Sequence, residues 1–307
     1  MNSPDHSYHF SKADIAKSFN RSVKSYDDCA VIQNIVGERL SERLDLVIIE
    51  PEIIIDVGSG TGHFVRELQQ RYKKKKIIGI DIADKMSAFA NKRRKWLSKD
   101  RYICADAEAL PFADNSVDLV FSNLMMQWLL NPDQFFEEAQ RVLKPGGLLM
   151  FTSFGPDTLK EMRQSWGQVD DKVHVNRFID MHDIGDSLTS SGFAGIVMDT
   201  ETITMTYESL SDLHQDLKGL GEVNLNAGRS HSLMGKTLWN KYLQAYEQLR
   251  RSNGDYPATW EIAYGHAWAT DKMPARKIDM NVSAQPFTVQ QHRNNQETTK
   301  SSINKGL

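Results

Sequence analysis

Four polar positions in this chain stand at the same kind of place, just after a short run of branched apolar residues: Asp56 with Gly58, then Asp81, Asp106 and Asn123. The first begins Asp56-Val57-Gly58-Ser59-Gly60-Thr61-Gly62, between Ile53-Ile54-Ile55 and an apolar helical stripe of Phe64, Val65 and Leu68. A strand, a tight glycine turn and a helix N-terminus aim backbone N–H groups at a ligand, and glycine keeps side chains out of its path. Asp81 lies 19 residues past Gly62, after Ile77-Ile78-Gly79-Ile80. A carboxylate there accepts hydrogen bonds from both hydroxyls of a ribose. The dinucleotide fingerprint requires Gly or Ala where His63 stands, so the spacing disfavours a nicotinamide dinucleotide. Singly, each residue is equally a plain turn or a helix cap. Their recurrence at four strand ends is the signal.

The elements that must position these residues read off in order. A helix is predicted from Ser11 to about Val23, with Ser11 as N-cap and Asp14 as its capping-box partner. Ser25-Tyr26-Asp27-Asp28 breaks it, and a second helix runs from about Cys29 to Leu46. Strands follow at Ile53, at Ile77–Asp81, at Arg101–Asp106, at Val117–Asn123 and from Leu148 to Ser153. Helices separate them: one to about Arg71, one from Ala83 to Trp96, and one carrying Phe135, Phe136, Ala139 and Val142. Branched apolar runs without alternation mark strands buried on both faces, and strand–helix alternation predicts a doubly wound parallel sheet. Ligands bind such sheets at the carboxyl ends of their strands.

Beyond Ser153 the pattern changes. Residues 155–178 read as loop-rich, followed by a helix from about Met181 to Ser190 and strand material at Gly195–Asp199 and Thr202–Tyr207. Helices at 209–221 and 236–251 precede a last strand at Trp260–Trp268. The predicted organisation is N-terminal helices over 1–50, a domain over 51–270 with lid insertions at about 155–192 and 208–252, and a disordered tail over 271–307. The tail carries six Lys/Arg against three Asp/Glu and has no periodicity.

Composition narrows the function classes. With 307 residues and 40% hydrophobic content the chain can bury a full core. No apolar run reaches the ~20 residues of a membrane span. Cys29 and Cys104 give neither a disulfide framework nor metal spacing, and no metal site is expected. With no secretory pattern at the N-terminus, the expected compartment is the cytoplasm. A net charge of −3 argues against general nucleic-acid binding, although Lys73–Lys76, Lys92–Lys95 and Arg250-Arg251 form basic clusters. These are either solvated helix ends or a docking face for an acidic partner.

Asp-x-Gly-x-Gly-x-Gly after a buried strand resembles the first motif of the class I S-adenosylmethionine (SAM) methyltransferases. The resemblance implies a Rossmann-like, mostly parallel seven-stranded sheet with N-terminal helices and a helical lid insertion. It also implies cofactor contacts from Asp56, Gly58, Gly60, Gly62, Asp81, Ile82, Asp106, Ala107 and Asn123, with Asp106 and the Ala107 N–H at the adenine. Over residues 10–268 the chain further resembles the malonyl-[acyl-carrier protein] O-methyltransferases of biotin synthesis. The segments that carry this are Phe19-Asn20…Ser25-Tyr26-Asp27, Ser122-Asn123…Gln127-Trp128, Phe151–Gly155, Asn176-Arg177-Phe178 and Lys218-Gly219-Leu220-Gly221…Asn224–Arg229.

That second resemblance implies methylation of the free carboxylate of malonyl on acyl carrier protein, an acidic partner suited to the basic clusters. A carboxylate of pKa about 4 is already ionised at neutral pH and needs no general base. Its chemistry is in-line displacement, governed by alignment. Tyr26 is expected to close over the cofactor and orient the carboxylate, with Gln127, Trp128 and Phe178 about the acceptor and Arg177 or Arg229 pairing with it. For each the plain alternative is core packing or a surface ion pair. The residues leave open a methyltransferase of a free small metabolite, or a related arginine hydroxylase of assembly type.

Overall fold

A computed structural model describes residues 11–95, 98, 100–221 and 235–271. The elements in chain order are α1 (Lys12–Ser22), α2 (Tyr26–Cys29), α3 (Val31–Arg43), β1 (Ile53–Val57), α4 (His63–Arg71), β2 (Lys76–Asp81), α5 (Asp84–Lys92), β3 (Arg101–Cys104), β4 (Val117–Ser122), α6 (Pro132–Val142), β5 (Leu143–Phe154), α7 (Lys160–Gly167), α8 (Met181–Ser190), β6 (Phe193–Tyr207), α9 (Leu210–Leu220), α10 (Lys236–Glu247) and β7 (Tyr256–Ala269).

The seven strands form one sheet in the order β3-β2-β1-β4-β5-β7-β6. β1 to β5 pair in parallel, and β7 runs antiparallel between β5 and β6. The expected doubly wound, mostly parallel sheet is therefore present. Its strand order reverses between β1 and β4, which opens a crevice at their carboxyl ends. Ile54, Ile55, Ile77, Ile80, Leu119 and Val120 are almost wholly buried, as strands covered on both faces require. One core gathers α3, α4, α7, α9 and α10 with residues such as Val36, Leu68, Phe121 and Trp260. The other lies under α6 and α8, around Ile55, Phe135, Phe151 and Leu188. No helix among the described residues is long and apolar enough to cross a membrane.

Several local readings change. The Ser25–Asp28 break holds one turn of helix, α2. The loop-rich stretch 155–178 contains α7, whose buried side carries Glu161 and Ser165 beside Met162 and Trp166. Glu161 points inward to accept the Thr259 backbone N–H at 2.9 Å and the Thr259 hydroxyl. At eight residues, between Pro156 and Gly167, α7 is shorter than the window over which a helical period is recognised. The two strand pieces at 195–199 and 202–207 are one strand, β6, with an irregularity between Ala194 and Val197. α5 ends at Lys92, before the predicted Trp96, which lies outside the described residues. The tail from 272 onward also lies outside them.

The N-terminal helices are fastened to the end of α9 by three serines. Ser18, Ser22 and Ser25 donate to the carbonyls of Gly221, Leu220 and Gly219 at 2.9, 3.2 and 2.9 Å. Helix C-termini leave their last carbonyls without intrahelical partners, and α9 meets that need through α1 and the turn after it.

Candidate active site

The crevice at the switch point is lined from both sides: by Lys12, Ile15, Phe19 and Tyr26 of the N-terminal segment, and by the ends of β1 to β4 with the loops that follow. Gly58, Gly60, Asp81, Ile82, Asp106, Ala107, Asn123 and Trp128 all line it. These residues, predicted separately, are brought together.

Gly58, Gly60 and Gly62 all take positive φ, at 79°, 51° and 78°. A Cβ on Gly58 would stand 2.6 Å from the Met125 side chain, and one on Gly60 would reach the Tyr26 ring at 3.7 Å. Gly62 does something else: a Cβ there would strike the Tyr102 ring at 2.6 Å, and Gly62 does not line the crevice. It packs closely at the N-cap of α4.

Asp81 accepts the Gly60 N–H on Oδ2 and the Ala83 N–H on Oδ1, both at 2.8 Å. Burial pushes its carboxyl up to about 6, against the two N–H bonds that favour the charged form. Each oxygen keeps a lone pair for a hydroxyl. Asp56 is only 2% exposed and sits inside the sheet, paired across to Gly79 and Phe121. Burial, with Asp81 and Glu67 adding repulsion, pushes Asp56 up to about 8. Burial thus favours its protonated form, and Asp56 is not among the residues that line the crevice.

Asp106 is already engaged. Its Oδ2 takes the Lys12 ammonium at 2.5 Å and its Oδ1 the Glu108 N–H at 2.9 Å. Lys12 also reaches Glu108 Oε2 at 2.7 Å, while Glu108 Oε1 accepts the N–H groups of Leu130 and Asn131. Sequence reasoning missed Lys12 and Glu108, because an ion pair spanning 94 residues leaves no local pattern.

The segment after β4 is held under tension. Leu124 has φ +49°, a conformation side-chain-bearing residues seldom adopt. Thr152 Oγ1 accepts the Leu124 N–H at 2.8 Å and donates to Asn123 Oδ1 at 2.8 Å. Asn123 Nδ2 donates to the Gln33 carbonyl and Gln127 Nε2 to the Leu124 carbonyl, at 2.9 and 2.6 Å. Trp128 stands edge-on to Phe19 at 5.3 Å and closes the crevice from the side.

The remaining candidates separate. Gln127 and Arg177 line a second cavity, whose lining includes Leu129 in common with the crevice. The buried Gln127 Oε1 accepts no hydrogen bond among the described residues. Arg177 is exposed on the rim. Phe178 borders that cavity, is 9% exposed and packs edge-on against Phe154 at 5.6 Å. Arg229 lies outside the described residues.

The fit to a nucleoside is good. The crevice has apolar walls of Ile80, Ile82, Ala107 and Leu129, a two-oxygen acceptor in Asp81 and a turn free of side chains at Gly58 and Gly60. No cluster of His, Cys, Asp and Glu suited to a metal occurs among the described residues.

A sequence profile described as a methyltransferase domain matches residues 55–151, the span from β1 to β5. The chain is 45% identical over 279 residues to a malonyl-[acyl-carrier protein] O-methyltransferase of Gallionella capsiferriformans, covering 89% of this chain and 94% of that protein. It is 42% identical over 280 residues to the protein of the same name from Laribacter hongkongensis, with the same coverage. Among solved structures, a putative methyltransferase from Bacillus halodurans superposes with a TM-score of 0.53 at 17% identity, over 76% of this chain and 100% of that one, a likeness of fold.

Proposed function

The chain belongs to the malonyl-[acyl-carrier protein] O-methyltransferase family, and from that premise we infer that it transfers a methyl group from SAM to the free carboxylate of malonyl-acyl carrier protein, giving the methyl ester. The observation that carries this is identity of 45% sustained over 94% of a relative of that name. The cofactor is SAM, and when bound it supplies a methyl group made electrophilic by a sulfonium.

We assign the protein's part as follows. Asp81 holds the ribose hydroxyls, Ile82 and Ala107 flank the base, and Asp106 with the Ala107 N–H reads its edge. Gly58, Gly60 and Asn123 border the amino-acid end. Tyr26, whose ring stands over Gly60, orients the acceptor carboxylate, and Trp128 with the N-terminal helices excludes water. Gln127 and Arg177, in the adjoining cavity, meet the rest of the acceptor. Proton removal is not required of any side chain, because a malonyl carboxylate is ionised at neutral pH. The rate gain comes from alignment, which in well-oriented systems reaches effective molarities of roughly 10⁵ M or more. The cytoplasm is the proposed compartment, and the free thiols of Cys29 and Cys104 support it.

The test is incubation with SAM and malonyl-acyl carrier protein, followed by mass spectrometry. A carrier heavier by one methyl, with S-adenosylhomocysteine formed in equal amount, is the expected result. Methyl transfer to carrier-free malonate with the carrier form untouched would overturn it.

A further inference from the structure

The outer side of the roof over the crevice is basic. Lys17 and Arg21 lie on the solvent face of α1, Lys24 just past its end and Lys218 in the last turn of α9, and all four are exposed. Positions 17, 21 and 24 share one helical stripe. Arg21 and Lys218 stand on the two banks of a groove between α1 and α9, floored by Ser18, Ser22 and Ser25. None of the four has a carboxylate partner among the described residues. Among the described residues the nearest acids in sequence are Asp14, Asp27, Asp28, Asp212 and Asp216, and Asp27 is paired with Arg93. Asp14 and Asp212 are bonded to Ser11 and Ser209, and Asp216 to Tyr207.

The basic runs visible in the sequence are placed less well. Lys73–Lys76 leads into the start of β2, the end of the sheet opposite the crevice, and Lys75 pairs with Glu52. Arg93 is spent on Asp27, Arg94 on the Asp100 carbonyl and Arg250 on Glu247 and the Gly254 carbonyl.

The roof, by contrast, is one helix thick, about 10 Å. Its inner face supplies Ile15 and Phe19 to the crevice, and Lys24 precedes Tyr26 by two residues. The roof is also rigid where it matters. Ser18, Ser22 and Ser25 hold α1 to α9, and a Cβ on Gly219 would meet Cys29 Sγ at 2.3 Å, so the two segments pack without a gap.

We propose that Lys17, Arg21, Lys24 and Lys218 form the docking face for the acidic surface of the acyl carrier protein, which then feeds its tethered malonyl end past Tyr26. The assignment rests on the carrier-bound substrate read above. Rim charges of this kind govern encounter and salt dependence more than the bound chemistry.

The test compares Arg21→Glu/Lys218→Glu with Lys73→Glu/Lys74→Glu at low ionic strength. The roof variant is expected to raise KM for malonyl-acyl carrier protein at least about tenfold, with kcat and the Kd for S-adenosylhomocysteine within about twofold of wild type. About 0.5 M salt should raise the wild-type KM and leave the variant's nearly unmoved. The Lys73/Lys74 variant should keep the wild-type KM. An unchanged KM in the roof variant, or an equal rise in both variants, overturns the docking face while leaving the reaction standing. If wild-type protein makes no methylated carrier at all, reaction and docking face fall together. Should the double reversal not melt cooperatively, Lys17→Ala/Lys24→Ala decides in its place, with a several-fold rise in KM expected and no rise refuting.

Discussion

At the scale of single residues, Asp81 is the most exacting part of the crevice. Its two oxygens are each fixed by one backbone N–H, and burial holds its pKa near 6 rather than near 4. The charged form is the better acceptor for two hydroxyls, and it is lost as pH falls through about 6. Affinity for S-adenosylhomocysteine should therefore be level above about pH 7 and weaken below 6, by as much as tenfold per unit. Calorimetry between roughly pH 5 and 8 checks this, and a flat profile would remove the charge from the argument. Asp81→Ala should cost about 1–3 kcal/mol of binding at neutral pH. Tyr26 calls for a different measurement, because its ring packs beside Gly60 and Phe19 while its hydroxyl is assigned to the acceptor. Tyr26→Phe keeps the ring, so kcat should fall at least about tenfold with cofactor affinity nearly intact; wild-type turnover would return Tyr26 to a packing role.

At the scale of elements, the four strand ends were legible because branched apolar runs such as Ile53–Ile55 have one physical explanation, burial on both faces. Helix α7 was not, being only eight residues long and bounded by Pro156 and Gly167. That Asp56 and Gly62 fall outside the crevice lining was hidden for a related reason. Motif spacing says that a position lies near a turn, not whether its side faces a ligand, the sheet interior or the Tyr102 ring. What holds α1 across the crevice was also hidden, being a contact between distant segments. Lys12 reaches Asp106 and Glu108, and of these three side chains only Glu108 is largely buried, at 9% exposure. Lys12→Met leaves that carboxylate without its cation. With about a third of Lys12 in water, the loss should be modest, about 1 kcal/mol. Release of S-adenosylhomocysteine should quicken about fivefold, followed through the emission of Trp128 against Phe19 in stopped flow, with the other tryptophans replaced. An unaltered release rate would mean that α1 does not gate the crevice.

For the molecule as a whole, the decisive group is one that lies outside the crevice lining. Asp56 lies on β1, the strand between β2 and β4, so it is desolvated only when the entire sheet is formed. Its carboxyl has a pKa of about 8 in the folded protein, from burial first and then Asp81 and Glu67, against about 3.9 in the unfolded chain. Between those values the folded state keeps a proton that the unfolded state releases. Stability contributed by this group must then fall as pH rises from about 4 to about 8, by up to about 1.4 kcal/mol for each unit. Asp81, also raised, acts with the same sign but only up to about 6. The partly buried His214 and His266, both lowered, act with the opposite sign up to about 6.5, so the interval from about 7 to 8 isolates Asp56. Asp56→Asn preserves the shape and removes the titration. Its denaturant midpoint should vary less with pH than wild type across that interval, and should overtake wild type near pH 8. Parallel curves for the two proteins would show that Asp56 is ionised in the folded sheet. Its charge would then have to be compensated by hydrogen bonds, and the centre of the fold would be a stabilised anion rather than a buried neutral acid.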